Sequence, residues 1–307
     1  MGTADFSCAS LAALAAEPRF QVVAVVTQPD KPKGRDLKLQ PSPVKVLAEK
    51  LGLPVKQPHR ARDEHFIGEL RALQPDLMVV VAYGQILPPA ILDLPPHGCL
   101  NVHGSLLPKY RGAAPIQRAM ANGDTVTGIA IMKMDAGLDT GPVLTMRATP
   151  ILPTEDCPAL YARLAQMGAD LLVETIPGWV AGTIVPQIQP VEGVTYAAKI
   201  KKEDAHVDWL LPATVLWNRL RAFTPWPGAF TFLPVEPKPL LLKLWKLEVI
   251  ARAGPPGEVL AVDKGGIVVG CGQDAVRILE LQREGGRRQT VEQFLAGTPL
   301  KPGVRLG

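Results

Sequence analysis

Two different patterns of hydrophobic and polar positions divide the chain. In its first part, short apolar and β-branched runs predict strands of a parallel sheet that is covered on both faces, at Val22–Thr27, Pro54–Gln57, Asp76–Ala82, Gly98–His103 and Thr127–Met134. Helical spacing of apolar residues marks five segments: Ser7–Ala16, Ser42–Leu51, Asp63–Leu73, Ala113–Ala121 and Cys157–Val180. Alternating strands and helices indicate an α/β domain over residues 1–184, Rossmann-like and doubly wound, with a mainly parallel sheet.

The pattern changes after a polar, lysine-rich connector at residues 185–203. One helix, Pro212–Phe223, is followed by short runs between Pro and Gly that predict four strands, at Leu240–Val249, Gly257–Val262, Gly266–Gly270 and Ala275–Leu281. Several short strands with few helices are typical of a small barrel. We therefore predict that residues 204–307 form a second domain, an OB-like β-barrel.

The start of the first domain is unusual. A doubly wound sheet opens with a buried strand before its first Gly-containing turn, whereas here Met1 directly precedes Gly2. This pattern predicts that the first strand is missing, and because that strand is normally central, its loss would leave a slot between Val22–Thr27 and Asp76–Ala82. Backbone groups left unpaired there cost ~1–3 kcal/mol each. We expect that the sequence starts about six residues too late, the length of a typical strand, or is a fragment, unless another segment fills the slot.

Composition narrows the class of protein. The chain has 307 residues, of which 47% are hydrophobic and 20% charged, which is typical of a folded globular protein with room for two cores. No apolar run approaches the ~18 residues of a membrane span, and no signal peptide is evident. The cysteines are scattered and form no metal-binding pattern, so we predict free thiols, no metal and a cytoplasmic location.

The net charge of +4 is unevenly distributed. Basic residues exceed acidic ones in residues 199–307, whereas residues 1–198 are slightly acidic. This asymmetry favours a catalytic part joined to a part that docks a polyanion. A basic surface that is merely solvated is the alternative.

The strongest candidate for chemistry is Leu100–Pro108. Asn101 and His103 lie two residues apart in a predicted strand, so their side chains point to the same face. Gly104 lets the chain turn at the carboxyl end of the strand, where open α/β sheets form their sites. An amide can stabilise a developing oxyanion and an imidazole can move a proton near neutral pH. A core histidine beside a capping asparagine fits the spacing equally well.

Two further segments follow predicted strands. Asp135–Pro142 places two carboxylates in a Gly-rich loop; they are common turn-formers, but a carboxylate near His103 would favour the imidazolium. Val81–Pro88 offers free backbone groups and an apolar wall suited to a flat heterocycle, or is simply a connecting loop.

Together these segments resemble the 10-formyltetrahydrofolate-dependent formyltransferase family, through Asn101-x-His103, Ser105-Leu-Leu-Pro108 and Asp135-x-Gly-x-Asp139-Thr-Gly141. The resemblance implies that Asn101, His103 and Asp139 are catalytic and that no metal is needed. It implies a 10-formyltetrahydrofolate co-substrate bound by a larger set of residues: Tyr83, Gly84, Gln85, Ile86, Leu87, Ser105, Leu106, Leu107, Pro108 and Asp135.

The resemblance covers essentially the whole chain and is to family members whose formyl acceptor is the methionine on initiator tRNA. Gly2–Phe6 is similar to their first turn, with Ala4 where Pro is common, and Ala222–Gly228 to the start of their barrel. It implies a monomer that docks the tRNA acceptor stem with the cations of one loop, Lys31, Lys33, Arg35, Lys38 and Lys45.

Other functions stay open. The same chemistry could serve a small acceptor, such as glycinamide ribotide or an amino sugar, or hydrolysis of the formyl-folate, but these need no basic loop or basic barrel. A nucleic-acid-binding protein with an inactive catalytic fold would not need Asn101, His103 and Asp139. A nicotinamide dehydrogenase is disfavoured because no Gly-x-Gly-x-x-Gly opens a helix.

Overall fold

The computed structural model describes residues 1–33 and 38–307. The chain divides into two compact units. The first unit comprises Met1–Pro115, Val126–Pro150 and Leu160–Ala197, and the second comprises Ile116–Thr125, Ile151–Ala159 and Ala198–Gly307. The domain limits expected at residues 184 and 204 stay a prediction.

Six helices lie between residues 6 and 180, in the part of the chain described: α1 (Phe6–Ala16), α2 (Pro43–Lys50), α3 (Glu64–Ala72), α4 (Pro89–Leu92), α5 (Pro115–Ala121) and α6 (Cys157–Val180). Local sequence explains where two of them begin. The Ser42 hydroxyl accepts a hydrogen bond from the Lys45 amide ahead of α2, and the Asp63 carboxylate accepts from the His65 amide ahead of α3. These side chains satisfy amides that have no partner within the helix.

The strands of the first unit are β1 (Val25–Val26), β2 (Lys31–Lys33), β3 (Lys38–Gln40), β4 (Val55–Lys56), β5 (Met78–Val80), β6 (Cys99–His103), β7 (Arg111–Gly112), β8 (Val126–Lys133), β9 (Val143–Pro150) and β10 (Tyr196–Ala197). The main sheet has the order β5-β6-β8-β9, and β1 pairs separately with β4. The pairs β1–β4, β5–β6 and β7–β10 are parallel. A parallel core within a mixed α/β fold is therefore confirmed.

The main sheet is less parallel than the sequence predicts. β8 runs antiparallel to β6, and β9, which the pattern did not predict, runs antiparallel to β8. The segment between β8 and β9 is a short loop that contains Asp139. A short loop can join only antiparallel neighbours, whereas a parallel pair needs a crossover of a dozen or more residues.

Two strands are shorter than predicted. Val22–Thr27 contributes only Val25–Val26, since its partner β4 extends over two residues, and Asp76–Ala82 contributes Met78–Val80. Between these two segments lies a cavity of about 760 Å³. The first two residues of the chain lie at one end of it, where the Gly2 amide donates to the Val26 carbonyl at 2.9 Å.

Close packing of α6 on the main sheet sets the position of β6. Gly168 of α6 faces Val102 of β6, and a Cβ at residue 168 would lie 2.8 Å from Val102 Cγ1. Glycine thus lets the helix approach the strand closely. Leu100, also on β6, is fully buried. Leu100 and Val102 share one face of β6, so this packing fixes the face opposite to the one that carries Asn101 and His103.

The second unit contains a six-stranded antiparallel sheet of order β11-β12-β15-β14-β13, with β16 beside β15. Its elements are a 3₁₀ turn (Lys202–Ala205), α7 (Ala213–Phe223), β11 (Ala229–Leu233), β12 (Leu240–Ile250), β13 (Val259–Asp263), β14 (Gly266–Gly270), β15 (Ala275–Arg283), β16 (Arg288–Thr290) and α8 (Val291–Leu295). The predicted helix and four predicted strands are present, with small shifts at their ends. The sequence did not predict β11, β16 or α8. No helix among the described residues is long and apolar enough to cross a membrane.

Candidate active site

Three side chains meet at the carboxyl end of β6. Asn101 Nδ2 donates to Asp139 Oδ1 at 3.3 Å, and His103 Nδ1 lies 3.7 Å from Asp139 Oδ2. His103 is 5% exposed and the Asp139 side chain 15%. The structure therefore brings together the three residues expected to be catalytic, which are 38 residues apart at most in sequence.

The second ring nitrogen of His103 has a partner of its own. Nε2 is 3.0 Å from the backbone carbonyl oxygen of Tyr110. Because a carbonyl can only accept, Nε2 carries a hydrogen and donates it. This bond orients the ring and leaves Nδ1 on the side of Asp139, where it can accept a proton and then face a carboxylate as an imidazolium.

The backbone of Asp139 is held in an unusual conformation. Its φ is +52°, in the left-handed region that aspartate tolerates better than most residues. Its Oδ2 accepts from the Gly112 amide at 2.7 Å, and its carbonyl accepts from Gln189 Nε2 at 2.8 Å. The loop thereby presents the carboxylate to both Asn101 and His103.

A buried pair behind this loop was not identified from the sequence. Arg111 donates from Nε and Nη2 to Gln189 Oε1, at 3.1 and 2.8 Å, and both side chains are buried. Gln189 Nε2 donates also to the Gly141 carbonyl at 2.8 Å. Arg111 follows the Ser105–Pro108 motif in sequence, but nothing in the local spacing marks Gln189, which lies in the expected connector.

The Ser105–Pro108 segment is divided between interior and surface. Ser105 Oγ donates to the Lys109 carbonyl at 2.6 Å and Ser105 is fully buried, while Leu107 packs in an apolar cluster with residues of β8. Leu106 and Pro108 remain partly exposed. These two side chains can contact a bound molecule, whereas Ser105 and Leu107 support the turn.

The Tyr83–Leu87 loop is anchored at several points. The Tyr83 carbonyl accepts from Thr3 Oγ1 at 2.8 Å and from Gln28 Nε2 at 2.9 Å. Gln85 Oε1 accepts from the Ala61 amide, and Leu87 is buried. Gly84 has a positive φ, and Ile86 is 92% exposed, so these two residues form the open part of the loop.

Tyr83 itself is buried, and its hydroxyl has no hydrogen-bond partner among the described residues. Burial raises the pKa of Tyr83 to about 12. Its phenol is therefore neutral at physiological pH and keeps a free donor inside the loop.

The Asp135 carboxylate acts within its own loop. Its Oδ1 accepts from the Gly137 amide at 3.0 Å and from Thr140 Oγ1 at 2.6 Å. These contacts are those of a turn-former, the alternative that the sequence left open. Within the described residues, no group of three or more His, Cys, Asp or Glu side chains is arranged to hold a metal ion.

The expected tRNA-docking lysines belong to the β2–β3 hairpin and to α2. Lys31 and Lys38 are exposed, and Lys31 Nζ donates to Gln28 Oε1. Lys45 Nζ donates to Asp30 Oδ2 at 2.8 Å, and this bond, followed by one from Gln57, lowers the pKa of the Asp30 carboxyl. Arg35 lies outside the described residues.

The fold and the site together indicate a class of enzyme. An α/β unit carries an amide, an imidazole and a carboxylate at the end of a strand, and an antiparallel unit follows it. Residues 1–176 match the family described as formyl transferase, and residues 199–299 match the formyl transferase C-terminal domain. The chain therefore belongs to the formyl transferase family, as its motifs predicted.

Two curated relatives are similar over nearly their whole length. The methionyl-tRNA formyltransferase of Geobacter metallireducens is 50% identical over 307 residues, which covers 100% of this chain and 97% of the relative. The methionyl-tRNA formyltransferase of Myxococcus xanthus is 50% identical over 306 residues, which covers 99% of this chain and 95% of the relative.

A solved structure supports the fold. The N-formyltransferase from Helicobacter canadensis, in complex with folinic acid and dTDP-3-aminofucose, superposes with a TM-score of 0.64 at 16% identity. The match covers 90% of this chain and 97% of that one.

Proposed function

We propose that this chain transfers the formyl group of 10-formyltetrahydrofolate to the α-amine of methionyl-initiator tRNA, as a cytoplasmic monomer. The convergence of Asn101, His103 and Asp139 at the end of β6 carries this proposal. Support for the acceptor comes from relatives at 50% identity over the full chain, which are methionyl-tRNA formyltransferases. Support for the folate comes from the folinic acid bound by the structural neighbour.

The three side chains have distinct roles in this reaction. Asn101 Nδ2 donates to the oxygen that becomes negative when the amine adds to the formyl carbon, a contribution worth about 3–4 kcal/mol for one well-placed donor. His103 accepts a proton from the attacking amine at Nδ1 and delivers it to N10 of the folate as that nitrogen departs. Asp139 stabilises the imidazolium between these two transfers.

The folate lies, in this proposal, against the open parts of two loops. Leu106, Pro108, Gly84 and Ile86 have exposed surface that can contact it. The remaining residues that the resemblance implies act by shaping these loops: Tyr83, Gln85, Leu87, Ser105, Leu107 and Asp135.

For tRNA docking we propose two surfaces. The cations Lys31, Lys33, Arg35, Lys38 and Lys45 contact phosphates near the acceptor stem. The C-terminal unit, as an OB-like barrel, holds the body of the tRNA; its excess of basic residues and its antiparallel sheet support this role. Binding should weaken strongly between 50 and 200 mM salt, as it does for proteins that contact many phosphates.

The test is a formyl-transfer assay with initiator methionyl-tRNA and 10-formyltetrahydrofolate, with elongator methionyl-tRNA and free methionine as controls. Asn101→Ala and His103→Ala should each lose about two orders of magnitude or more in kcat. His65→Ala, at an exposed histidine on α3, is the matched control and should retain activity. Near-normal rates in both site variants would contradict the assignment.

A dTDP-amino sugar belongs in the same assay, because the structural neighbour was solved with one. If that sugar is formylated and initiator methionyl-tRNA is not, the proposed acceptor is wrong, whereas the proposed formyl-transfer reaction stands.

A further inference from the structure

Gln28 lies just beyond the carboxyl end of β1, beside the Tyr83–Leu87 loop that follows β5. Hydrogen bonds hold its backbone on both sides. Its amide donates to Thr3 Oγ1 at 3.3 Å, and its carbonyl accepts from Gln57 Nε2 at 3.1 Å. The side chain therefore extends from a fixed point at the carboxyl ends of parallel strands, where open α/β sheets form their sites.

The side-chain amide of Gln28 has two partners of opposite kind. Its Nε2 donates to the Tyr83 carbonyl at 2.9 Å, and its Oε1 accepts from Lys31 Nζ. An ammonium group can only donate and a carbonyl can only accept, so these partners determine which end of the amide faces the loop. The cation at the oxygen also polarises the amide and strengthens its N–H donor.

The open part of the loop lies directly against this amide. Gly84 has a φ of +81°, and a Cβ at residue 84 would lie 2.6 Å from Gln28 Nε2. The carbonyl of Tyr83, which belongs to the same peptide group as the Gly84 amide, accepts also from Thr3 Oγ1 at 2.8 Å. Two side chains thus hold the peptide group that joins Tyr83 to Gly84.

We propose that Gln28 is a positioning residue for the folate. It is not among the residues expected to contact either substrate, but its amide keeps the open part of the Tyr83–Leu87 loop in the conformation that binds. This inference rests on the proposed function, in which Gly84 and Ile86 contact the folate. Because Gln28 acts on the binding loop and not on the three side chains at the end of β6, its loss raises KM for the folate and leaves kcat nearly unchanged.

Two substitutions isolate the donor of this side chain. Gln28→Glu keeps the length of the side chain and still accepts from Lys31, but it cannot donate to the Tyr83 carbonyl. Gln28→Met has a similar length and makes neither bond. In both variants Kd for folinic acid and KM for 10-formyltetrahydrofolate should rise by about 3–10-fold, the effect of one net hydrogen bond. Gln28→Glu should bind no better than Gln28→Met, since it places a carboxylate against a carbonyl oxygen.

Hydrogen exchange in the ligand-free chain gives a second measurement, which needs no folate. The amides of Gly84, Gln85 and Ile86 should exchange faster in both Gln28 variants, whereas those of β6 should exchange as in the parent chain. Faster exchange in β6 as well would mean that the substitution destabilises the unit as a whole, and would contradict a positioning role. Gln21→Glu, at an exposed glutamine, is the matched control for the change in charge and should behave as the parent in every measurement.

An unchanged Kd in both variants would overturn the inference, and so would unchanged exchange in the loop. A loss confined to Gln28→Met would assign the effect to the bond with Lys31 and would overturn it too. A parent chain that binds no folinic acid would contradict the proposed function as well as this inference. Tight binding by the parent and by both variants alike would contradict this inference alone.

Discussion

Gln189 holds the backbone of Asp139, because its Nε2 donates to the Asp139 carbonyl at 2.8 Å. The two residues are 50 positions apart in the sequence. Arg111 determines which way the Gln189 amide points, because its guanidinium occupies Oε1 and leaves Nε2 for the loop. The carboxylate for which we propose a catalytic role is thus positioned by a buried amide that acts on its backbone.

Gln189→Glu tests this positioning role. A carboxylate can still pair with Arg111 but cannot donate to the carbonyls of Asp139 and Gly141, so the loop loses its anchor. We expect kcat to fall by about 10–100-fold, since small displacements of catalytic groups cost rates of this order, with KM for methionyl-tRNA nearly unchanged. Gln187→Glu, at an exposed position two residues away, is the control. A change in KM alone would point to a role in binding instead.

The charge of Asp139 can be separated from its backbone conformation. Asparagine adopts positive φ as readily as aspartate, so Asp139→Asn keeps the loop but no longer stabilises an imidazolium at His103. We expect kcat to fall by about 100-fold or more, with Tm close to that of the parent. Asp135→Asn can still accept from Gly137 and Thr140 and should retain most activity. Equal losses in the two variants would argue against a specific role for Asp139.

Lys38 of β3 and Lys45 of α2 should contribute differently to tRNA binding. Lys38 is exposed, whereas Lys45 is already paired with Asp30 at 2.8 Å. Lys38→Gln should therefore weaken binding and reduce the slope of log K against log salt by about one, the expectation for one lost phosphate contact. Lys45→Gln should change the slope less. A titration of affinity against salt measures both, and an unchanged slope for Lys38→Gln would remove that residue from the interface.

The buried Met1 ammonium predicts a pH dependence of stability. Its pKa falls from 8.0 to about 6 on folding, so the unfolded chain binds more protons between these values and the free energy of unfolding rises with pH from about 6 to 8. The change is on the order of 2–3 kcal/mol. Cys99, the thiol that acts on this group, stays neutral because burial raises its pKa to about 12.

Nα-acetylation supplies the control for this effect, because it removes the titrating group. Arg19, Asp76 and His97 line the cavity between β1 and β5 and are present in both the acetylated and the free chain. Urea unfolding at pH 5.5 and 8.5 should therefore show a rise in the free energy of unfolding with pH only for the chain with a free amine. Parallel pH curves for the two forms would mean that Met1 is not desolvated in solution.

Much of the candidate site follows from short-range sequence. A two-residue spacing places Asn101 and His103 on one face of any strand, because strand side chains alternate. Helices with clear apolar spacing were likewise predicted to within a few residues, and α6 was predicted with its observed limits. Strand ends were predicted less well, because β1 and β5 extend only as far as their neighbours pair with them.

The sequence by itself determined which side chains share the end of β6 and which family the chain resembles, since both depend on residues close together in the chain. Only the tertiary structure decided that Gln189 and Arg111 support Asp139, and that β8 and β9 run antiparallel. Arg111 and Gln189 are 78 residues apart, and no local pattern records a hydrogen bond across that distance. Such contacts arise from the packing of the whole unit, where each buried donor must find an acceptor.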